Sequence, residues 1–344
     1  MISRAIGNLG ARRGYYCAGP LCLARPSIES VQSPMRLRSA AKGILSYAVP
    51  ALRSSHVDSQ SASAIGSYSL LLRHLVHLRA ATGLAAPPAR VAELGPGKSY
   101  GFGLAALLAG AERYYAFDVV DHSDLAWNLH LIDELAALFA RREPIPSGGS
   151  HSQTYPFLQD HRFPADLLPD DALARSLAPA RLEAIRDDLR TRAGRFIQAH
   201  VPWQQAPPPA GAQVDWIASQ SVLEHVDDLA DAYARLAQWL PPGAVMSHVI
   251  DYSSHHLTNA WNGHWAISEL GWACLRGRRY YLLNRLPHAH HVALLRQSGF
   301  AIRDEQRLRR VDGLLPSRFA PGFRDLSEED ALTHLAFVVC ERTA

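Results

Sequence analysis

The stretch that most constrains the fold is Arg90–Gly110, which reads as a strand, a tight turn and a helix. A short apolar run ends at Leu94, glycines follow at Gly95 and Gly97, and an apolar helical pattern continues to Leu108. Glycine lets the backbone approach a ligand closely, and a helix start presents free N–H groups. The stretch therefore predicts a ligand site at the end of a buried strand.

A second strand pattern, residues 114–117, ends on the acid Asp118. The acid follows the turn by about twenty residues, the distance at which nucleotide-binding α/β folds place a carboxylate on the ribose hydroxyls. Two other kinds of ligand-binding glycine turn are excluded because their glycines would stand at different positions. A phosphate-binding loop needs glycine where Ala92 stands, and a dinucleotide fingerprint needs glycine where Tyr100 stands.

The turn Glu93-Leu-Gly-Pro-Gly97 resembles the Glu/Asp-x-Gly-x-Gly turn of class I S-adenosylmethionine-dependent methyltransferases. Three later segments resemble the same family: residues 215–226 with a Leu-Glu-His turn, 240–246 with a Leu-Pro-Pro-Gly turn, and 294–300 ending in Gly-Phe. Ala244 stands where the family's second turn has another glycine. The resemblance covers residues 90–340 apart from an insertion.

The resemblance implies an α/β, Rossmann-like fold with a seven-stranded, mostly parallel sheet and helices on both faces. An inserted segment between strands two and three, at about residues 121–193, and a late lid or acceptor-pocket segment, at about 251–290, complete the expected domain of residues 56–344. Residues 1–55 are predicted to be a basic, mobile segment. A targeting segment and an extension upstream of Met35 are the alternatives for its beginning.

Apolar periodicity gives the expected elements. Helices are predicted at 64–82, 102–108, 125–140, 179–191 and 291–297, and one from Val222 to Leu240. Strands are predicted at 91–94, 114–117, 195–201, 214–221, 244–250, 300–303 and 335–340.

The cofactor that the resemblance implies is S-adenosyl-L-methionine, held at the carboxyl ends of strands one, two and four. In this assignment Glu93 holds the amino-acid part of the cofactor and Asp118 accepts its ribose hydroxyls. The predicted cofactor-binding residues are Glu93, Gly95, Pro96, Gly97, Asp118, Val119, Ser219 and Gln220.

The part of the site that binds the methyl acceptor, called the acceptor side below, is predicted from the histidine-rich run at and beyond strand five. His255, Asp251 and His248 are the predicted catalytic residues, with His255 as a general base oriented by Asp251. Strand alternation puts His248 and Asp251 on opposite faces. A metal site at the same histidines and hydrogen-bonded loop histidines without a catalytic role are the alternatives. No metal ligand is assigned, because spacing does not give geometry.

The predicted function is methyl transfer from S-adenosylmethionine to oxygen of a small-molecule or glycan-type acceptor. Methyltransferases of base or glutamine amino groups carry an Asn/Asp-Pro-Pro-Tyr motif where Ser219-Gln-Ser-Val222 stands here, which argues against that class. Aromatic and arginine side chains between Trp261 and Arg285 suit a sugar ring. A non-catalytic cofactor-binding partner subunit and an NAD(P)-dependent oxidoreductase are the alternative functions.

Charge and composition restrict the partners. Residues 1–55 carry eight Lys or Arg against one acid, and the remainder carries 27 basic and 31 acidic residues, so a nucleic-acid partner is not expected. No apolar run approaches the length of a transmembrane helix. The four cysteines show neither metal nor disulfide spacing, which predicts a reducing, cytoplasmic location.

Overall fold

The structure is a computed structural model that describes residues 37–52, 63–151, 153–205, 207–209 and 211–343. Its strands β1 to β7 are Arg90–Leu94, Arg113–Phe117, Ile197–His200, Trp216–Gln220, Val245–Asp251, Phe300–Arg309 and Thr333–Arg342. Its helices α1 to α10 are Leu37–Leu45, Ala64–Thr82, Gly101–Leu108, Leu125–Arg141, Asp170–Ser176, Pro179–Thr191, Leu229–Trp239, Glu269–Arg276, His288–Gln297 and Glu328–Leu332.

The seven strands form one sheet in the order β3-β2-β1-β4-β5-β7-β6. All pairs from β3 to β5 are parallel, and β7 runs antiparallel to both of its neighbours. The predicted fold class, an α/β, Rossmann-like fold with a seven-stranded, mostly parallel sheet, is confirmed by this order.

Two apolar layers cover the sheet because consecutive strand residues point to opposite faces. In β4, Trp216 and Ala218 pack with α2, α3 and α4, whereas Ile217 packs with α7 and α9 on the other face. The carboxyl ends of β1, β2, β4 and β5 consequently meet at one edge of the sheet, where ligands bind in open α/β folds.

Helix α2 fixes the insertion to the sheet. Its predicted bounds are confirmed, and the Ser63 side chain caps its start by accepting the N–H of Gly66 at 3.2 Å. Arg73 is buried in the middle of α2, where it donates to the carbonyl of Pro156 at 2.8 Å and to that of Pro146 at 2.6 Å. A buried guanidinium is tolerated here because carbonyl oxygens surround it.

The prediction that a helix begins at Val222 is wrong. Residues Leu223–His225 form a single 3-10 turn, and α7 begins at Leu229, capped by Asp228, which accepts the N–H of Asp231 at 2.9 Å. The Asn284 side chain takes the carbonyls on either side of the turn, at Leu223 and Val226. The Leu223 carbonyl also accepts the N–H of Val226 at 3.3 Å, so Asn284 ties the 3-10 turn to the segment before α9.

Part of the segment predicted to be mobile lies against the domain. Helix α1 packs on α8, with the backbone of Gly43 against the carbonyl of Leu275. The N–H of Arg278 donates to the hydroxyl of Ser46 at 2.8 Å. Residues 1–36 lie outside the described residues. Among the described helices, none is both long and apolar enough to cross a membrane.

The two segments predicted as additions both contain helices. Between β2 and β3 lie α4, α5 and α6, of which α5 was not predicted because it is only 7 residues long and follows Pro169 directly. Between β5 and β6 lie a 3-10 turn at Gly263–Ala266, α8 and α9. Strand β6 is longer than predicted, because its outer half pairs with β7 despite its many charged residues.

We predict that Gly103→Ala destabilises the protein by about 1–2 kcal/mol. Alanine is the better helix former by about 1 kcal/mol. However, a Cβ at Gly103 would overlap the ring of Tyr114, which is fully buried and tied to Glu93. Urea denaturation measures the change. Gly148→Ala, which meets open space, is the control; a more stable Gly103→Ala variant would contradict the packing described.

Candidate active site

The glycine turn after β1 leaves no room for side chains. Gly95 and Gly97 both have left-handed backbone angles, with φ of +72° and +67°. A Cβ on Gly95 would come within 2.6 Å of the Val222 side chain. The N–H of Gly95 donates to the carbonyl of Phe117 at 2.8 Å, which ties the turn to the end of β2. The turn is thus held closely between β2 and the segment after β4.

Asp118 faces this turn from the end of β2. Its Oδ2 accepts the N–H of Gly97 at 3.3 Å, and its Oδ1 accepts the N–H of Val119 at 2.7 Å. Burial raises the pKa of Asp118, and these N–H groups partly offset the rise. Asp118 lines a narrow cleft together with Pro96, Gly97 and Tyr100. A carboxylate beside a backbone turn at the ends of neighbouring strands is the arrangement that holds a ribose in open α/β folds.

Glu93 lies beneath the turn, on the face of the sheet that Asp118 also shares. It is 6% exposed and accepts a hydrogen bond from the hydroxyl of Tyr114 at 2.7 Å. Burial raises the pKa of Glu93 to about 8, the Tyr114 hydrogen bond lowers it, and the nearby charge of Asp118 adds to the rise. A buried carboxyl of this kind is suited to receive a cationic ammonium group.

The remaining predicted cofactor residues border the same edge. Val119 is half-buried beside Asp118. Ser219 and Gln220 close β4, but their side chains already have partners within the protein. The hydroxyl of Ser219 lies 2.7 Å from Nδ1 of His248, and the Gln220 amide donates to the carbonyl of Tyr155 at 3.3 Å.

Of the predicted catalytic residues, the structure brings His255 and Asp251 together. Nε2 of His255 lies 3.2 Å from Oδ2 of Asp251. Burial alone would raise the pKa of Asp251, but His255 and the N–H of Ser253 lower it to about 2. Asp251 is therefore a carboxylate over the physiological pH range and holds the imidazole in place.

His248 is not part of this group. It is fully buried on the opposite face of β5, as strand alternation requires, and burial lowers its pKa to about 3. Its Nδ1 is engaged with Ser219 and its ring lies 6.4 Å from that of Tyr233. These surroundings fit a neutral, packed histidine.

The aromatic and arginine segment after β5 is largely core. The indole N–H of Trp265 donates to the carbonyl of Arg285 at 2.9 Å, and both residues are buried. The guanidinium of Arg285 lies 4.6 Å from the ring centroid of Trp272 and 4.7 Å from that of Phe323. By contrast, Tyr280 is 57% exposed and available to a ligand.

The structure adds two residues to the acceptor side, Glu224 and His225. Both belong to the 3-10 turn after β4, and a ligand atom of each lies within 4.8 Å of one on His255. The sequence shows the Leu-Glu-His turn, but a helix predicted there would have placed these side chains elsewhere. Burial raises the pKa of Glu224 well above its usual value, and the charge of Asp251 adds to the rise.

Backbone strain concentrates around this group. Seven non-glycine residues among those described have positive φ, and two of them, Arg142 and Arg192, end helices. The other five come from three segments that meet at the acceptor side: Ser221, His255, His256, Tyr281 and Arg285. Such angles are retained where the surroundings enforce them, which is common at ligand sites.

A larger cavity, of about 470 Å³, opens beside the cleft at the β3 edge. It shares Tyr100 with the cleft and is otherwise lined from α4, α6 and β3, including Asn128, Arg192 and Gln198. It lies away from His255 and Asp251, which line neither this cavity nor the cleft.

No protein-family profile and no curated protein sequence matches this chain. Solved structures do align with it. An S-adenosylmethionine-dependent methyltransferase from Mesorhizobium loti is 14% identical with a TM-score of 0.38, over 78% of this chain and 98% of that one. An S-adenosylmethionine-dependent methyltransferase from Methanosarcina mazei is 12% identical with a TM-score of 0.39, over 78% of this chain and 97% of that one.

A third alignment is to the phosphoethanolamine N-methyltransferase 2 of Haemonchus contortus, solved with phosphomonomethylethanolamine and S-adenosylhomocysteine. It is 14% identical with a TM-score of 0.38, over 81% of this chain and 57% of that one. What places the present chain in the fold class is its own strand order.

We predict that Glu93→Gln changes how stability depends on pH. With a native pKa of about 8, wild-type Glu93 keeps a proton between about pH 5 and 8 that the unfolded chain has lost, so its contribution to the unfolding free energy falls as pH rises. The loss is up to about 1.4 kcal/mol per pH unit, and glutamine does not undergo it.

The unfolding free energy of Glu93→Gln should therefore rise relative to wild type from pH 5.5 to 7.5. Chemical denaturation at several pH values measures the difference. Glu112→Gln, at an exposed position, should run parallel to wild type. Parallel curves for Glu93→Gln as well would mean that the buried carboxyl is not protonated.

Proposed function

We propose that the chain is an S-adenosylmethionine-dependent methyltransferase that acts on oxygen of a small-molecule or glycan-type acceptor. The observation that carries the proposal is the contact of the glycine turn with Asp118, whose charge also acts on the buried Glu93 at the end of β1. This combination of a backbone cradle, a ribose-type carboxylate and a second acid suits a nucleoside that carries an amino-acid group.

The fit of the cofactor is supported by the backbone of the turn. Gly95 and Gly97 hold left-handed angles that favour glycine, and this lets the turn pack closely beside Asp118. Asp118 would hold the ribose hydroxyls, and Glu93 the ammonium of the amino-acid part, whose positive charge favours the ionised carboxylate. When bound, S-adenosylmethionine supplies a methyl group that is activated by its sulfonium charge.

What the chain itself must do is align the acceptor and exclude water. Near the end of β4, Ser219 contacts His248 of β5 at 2.7 Å and Gln220 donates to the carbonyl of Tyr155 at 3.3 Å, so these side chains are fixed within the protein. Tyr281 lies within electrostatic range of Asp118, which raises the pKa of its hydroxyl after the larger effect of burial. The proposal therefore uses the segment after β5, through Tyr281, as the cover of the cofactor cleft.

An oxygen acceptor needs help in losing its proton, and the His255–Asp251 pair supports that step. An imidazole held by an ionised carboxylate can accept a hydroxyl proton as a general base. The exposed ring of Tyr280 and the partly exposed ring of Tyr281 suit stacking on a sugar. These features favour a polar, ring-containing acceptor over an apolar one.

We predict that Asp118→Ala raises the dissociation constant of S-adenosylmethionine at least about tenfold. Hydrogen bonds to a charged group contribute about 1.5–3 kcal/mol each, and about 1.4 kcal/mol corresponds to tenfold in affinity. Isothermal titration calorimetry measures the constant, and circular dichroism checks that the variant is folded. Asp133→Ala removes an exposed carboxylate of α4 and serves as the control. Equal constants for wild type and Asp118→Ala would refute the ribose assignment.

A further inference from the structure

We infer that Glu224, His225 and His255 form a site for one divalent transition-metal ion on the acceptor side. One ligand atom from each residue lies within 4.8 Å of the other two. The existence of the site is independent of the proposed function, and only its use in catalysis rests on that function.

Glu224 provides the strongest evidence for a metal ion at this position. It is 3% exposed, and neither carboxylate oxygen has a hydrogen bond of ordinary geometry within the described part of the chain. The backbone N–H groups of Glu224 itself and of Asp251 lie near the carboxyl and lower its pKa slightly against the effect of burial. No Lys or Arg in the described ranges forms an ion pair with it, although buried carboxylates are ordinarily paired or bound to metals.

The two histidines add nitrogen donors beside this carboxylate. Nδ1 of His225 is buried without a hydrogen-bond partner among the described residues, and the rings of His225 and His255 lie 5.0 Å apart. Asp251 contacts Nε2 of His255 at 3.2 Å. A carboxylate that holds a metal-binding imidazole from behind is the usual support of such ligands.

The donor set selects the kind of ion. Two imidazoles and one carboxylate bind zinc at catalytic sites that keep a fourth position open, whereas Mg²⁺ and Ca²⁺ prefer oxygen donors alone. Bonds of about 2.0–2.1 Å put tetrahedral ligand atoms about 3.3 Å apart. The three side chains therefore need to close by at most about 1.5 Å, which rotation of the side chains can provide.

The backbone that carries these ligands is fixed in place. Asn284 donates from its side chain to the carbonyls of Leu223 and Val226 at 2.8 and 3.0 Å, and from its N–H to the carbonyl of Glu224 at 2.8 Å. His255 is held at φ of +45°. Such a turn presents its ligands without further ordering, which favours binding.

An ion at this position would take over the activation of the acceptor hydroxyl by acting as a Lewis acid. His255 would then serve as a metal ligand and Asp251 as the residue that positions it, instead of acting as a general base and its orienting carboxylate. The two roles of His255 differ in one measurable property, because only the metal site binds an ion in the absence of cofactor and acceptor.

The test titrates the chelator-treated full chain with Zn²⁺ by calorimetry and with Co²⁺ by visible absorption. We expect one tight ion per chain, with a dissociation constant of about 1 μM or lower. Glu224→Gln and His255→Ala should weaken binding at least about 100-fold, and Asp251→Asn about tenfold. The exposed His290 gives the control, His290→Ala, which should bind as wild type does.

Glu224→Gln also guards against a misfolded variant. It removes a buried carboxyl that has no hydrogen-bond partner among the described residues, so its melting temperature in chelator should equal or exceed that of wild type. Zn²⁺ should raise the melting temperature of wild type and of His290→Ala, but not that of Glu224→Gln. Binding only at millimolar Zn²⁺, or tight binding that survives both Glu224→Gln and His255→Ala, overturns the inference. S-adenosylmethionine binding by the same preparation would then leave the proposed function standing.

Discussion

The close contact between Gly95 and Val222 is the constraint on which the site depends. Because Gly95 has no side chain, the segment after β4 comes within van der Waals distance of the β1 turn. Val222 directly precedes the 3-10 turn that carries Glu224 and His225. The backbone that forms the cofactor cleft therefore also positions the acceptor side, so the two halves of the proposed site share one packing contact.

Buried acids follow from the same architecture. Parallel strands buried on both faces bring their carboxyl ends together, and Glu93, Asp118, Glu224 and Asp251 all lie at or near those ends. Two of these acids have clear partners, since Asp118 accepts backbone N–H groups and Asp251 contacts His255. Burial raises the pKa of Glu93 and of Glu224, so a neighbouring cation would favour their ionised forms. The proposed cation is the cofactor ammonium group at Glu93 and the metal ion at Glu224.

Much of the fold could be predicted from the sequence because its elements are long and strongly periodic. Helix α2 and the helix Pro179–Thr191 have the predicted bounds, and all seven strands lie where apolar runs indicate them. The glycine turn and Asp118 were predictable because their spacing is tied to a backbone requirement. The contact of His255 with Asp251 agrees with their adjacent placement after strand five.

What could not be predicted depends on contacts between distant segments. No continuous helix runs on from Val222, and the side chain of Asn284, some sixty residues away, donates to the carbonyls of Leu223 and Val226 there. No local sequence pattern indicates this contact. The packing of α1 on α8 likewise joins segments that are far apart in the sequence. His248 is among the predicted catalytic residues because it belongs to the histidine-rich run at strand five, yet its side chain is fully buried beside Ser219.

Binding of S-adenosylmethionine to the purified chain tests the central claim most directly. Calorimetric titrations with S-adenosylmethionine and, separately, with NAD⁺ and NADP⁺ compare the proposed cofactor with that of the alternative dinucleotide enzyme. Saturable binding of one S-adenosylmethionine per chain, with no heat from either dinucleotide, is the result that the account predicts. Binding of a dinucleotide in preference to S-adenosylmethionine, or of none of the three, would contradict it.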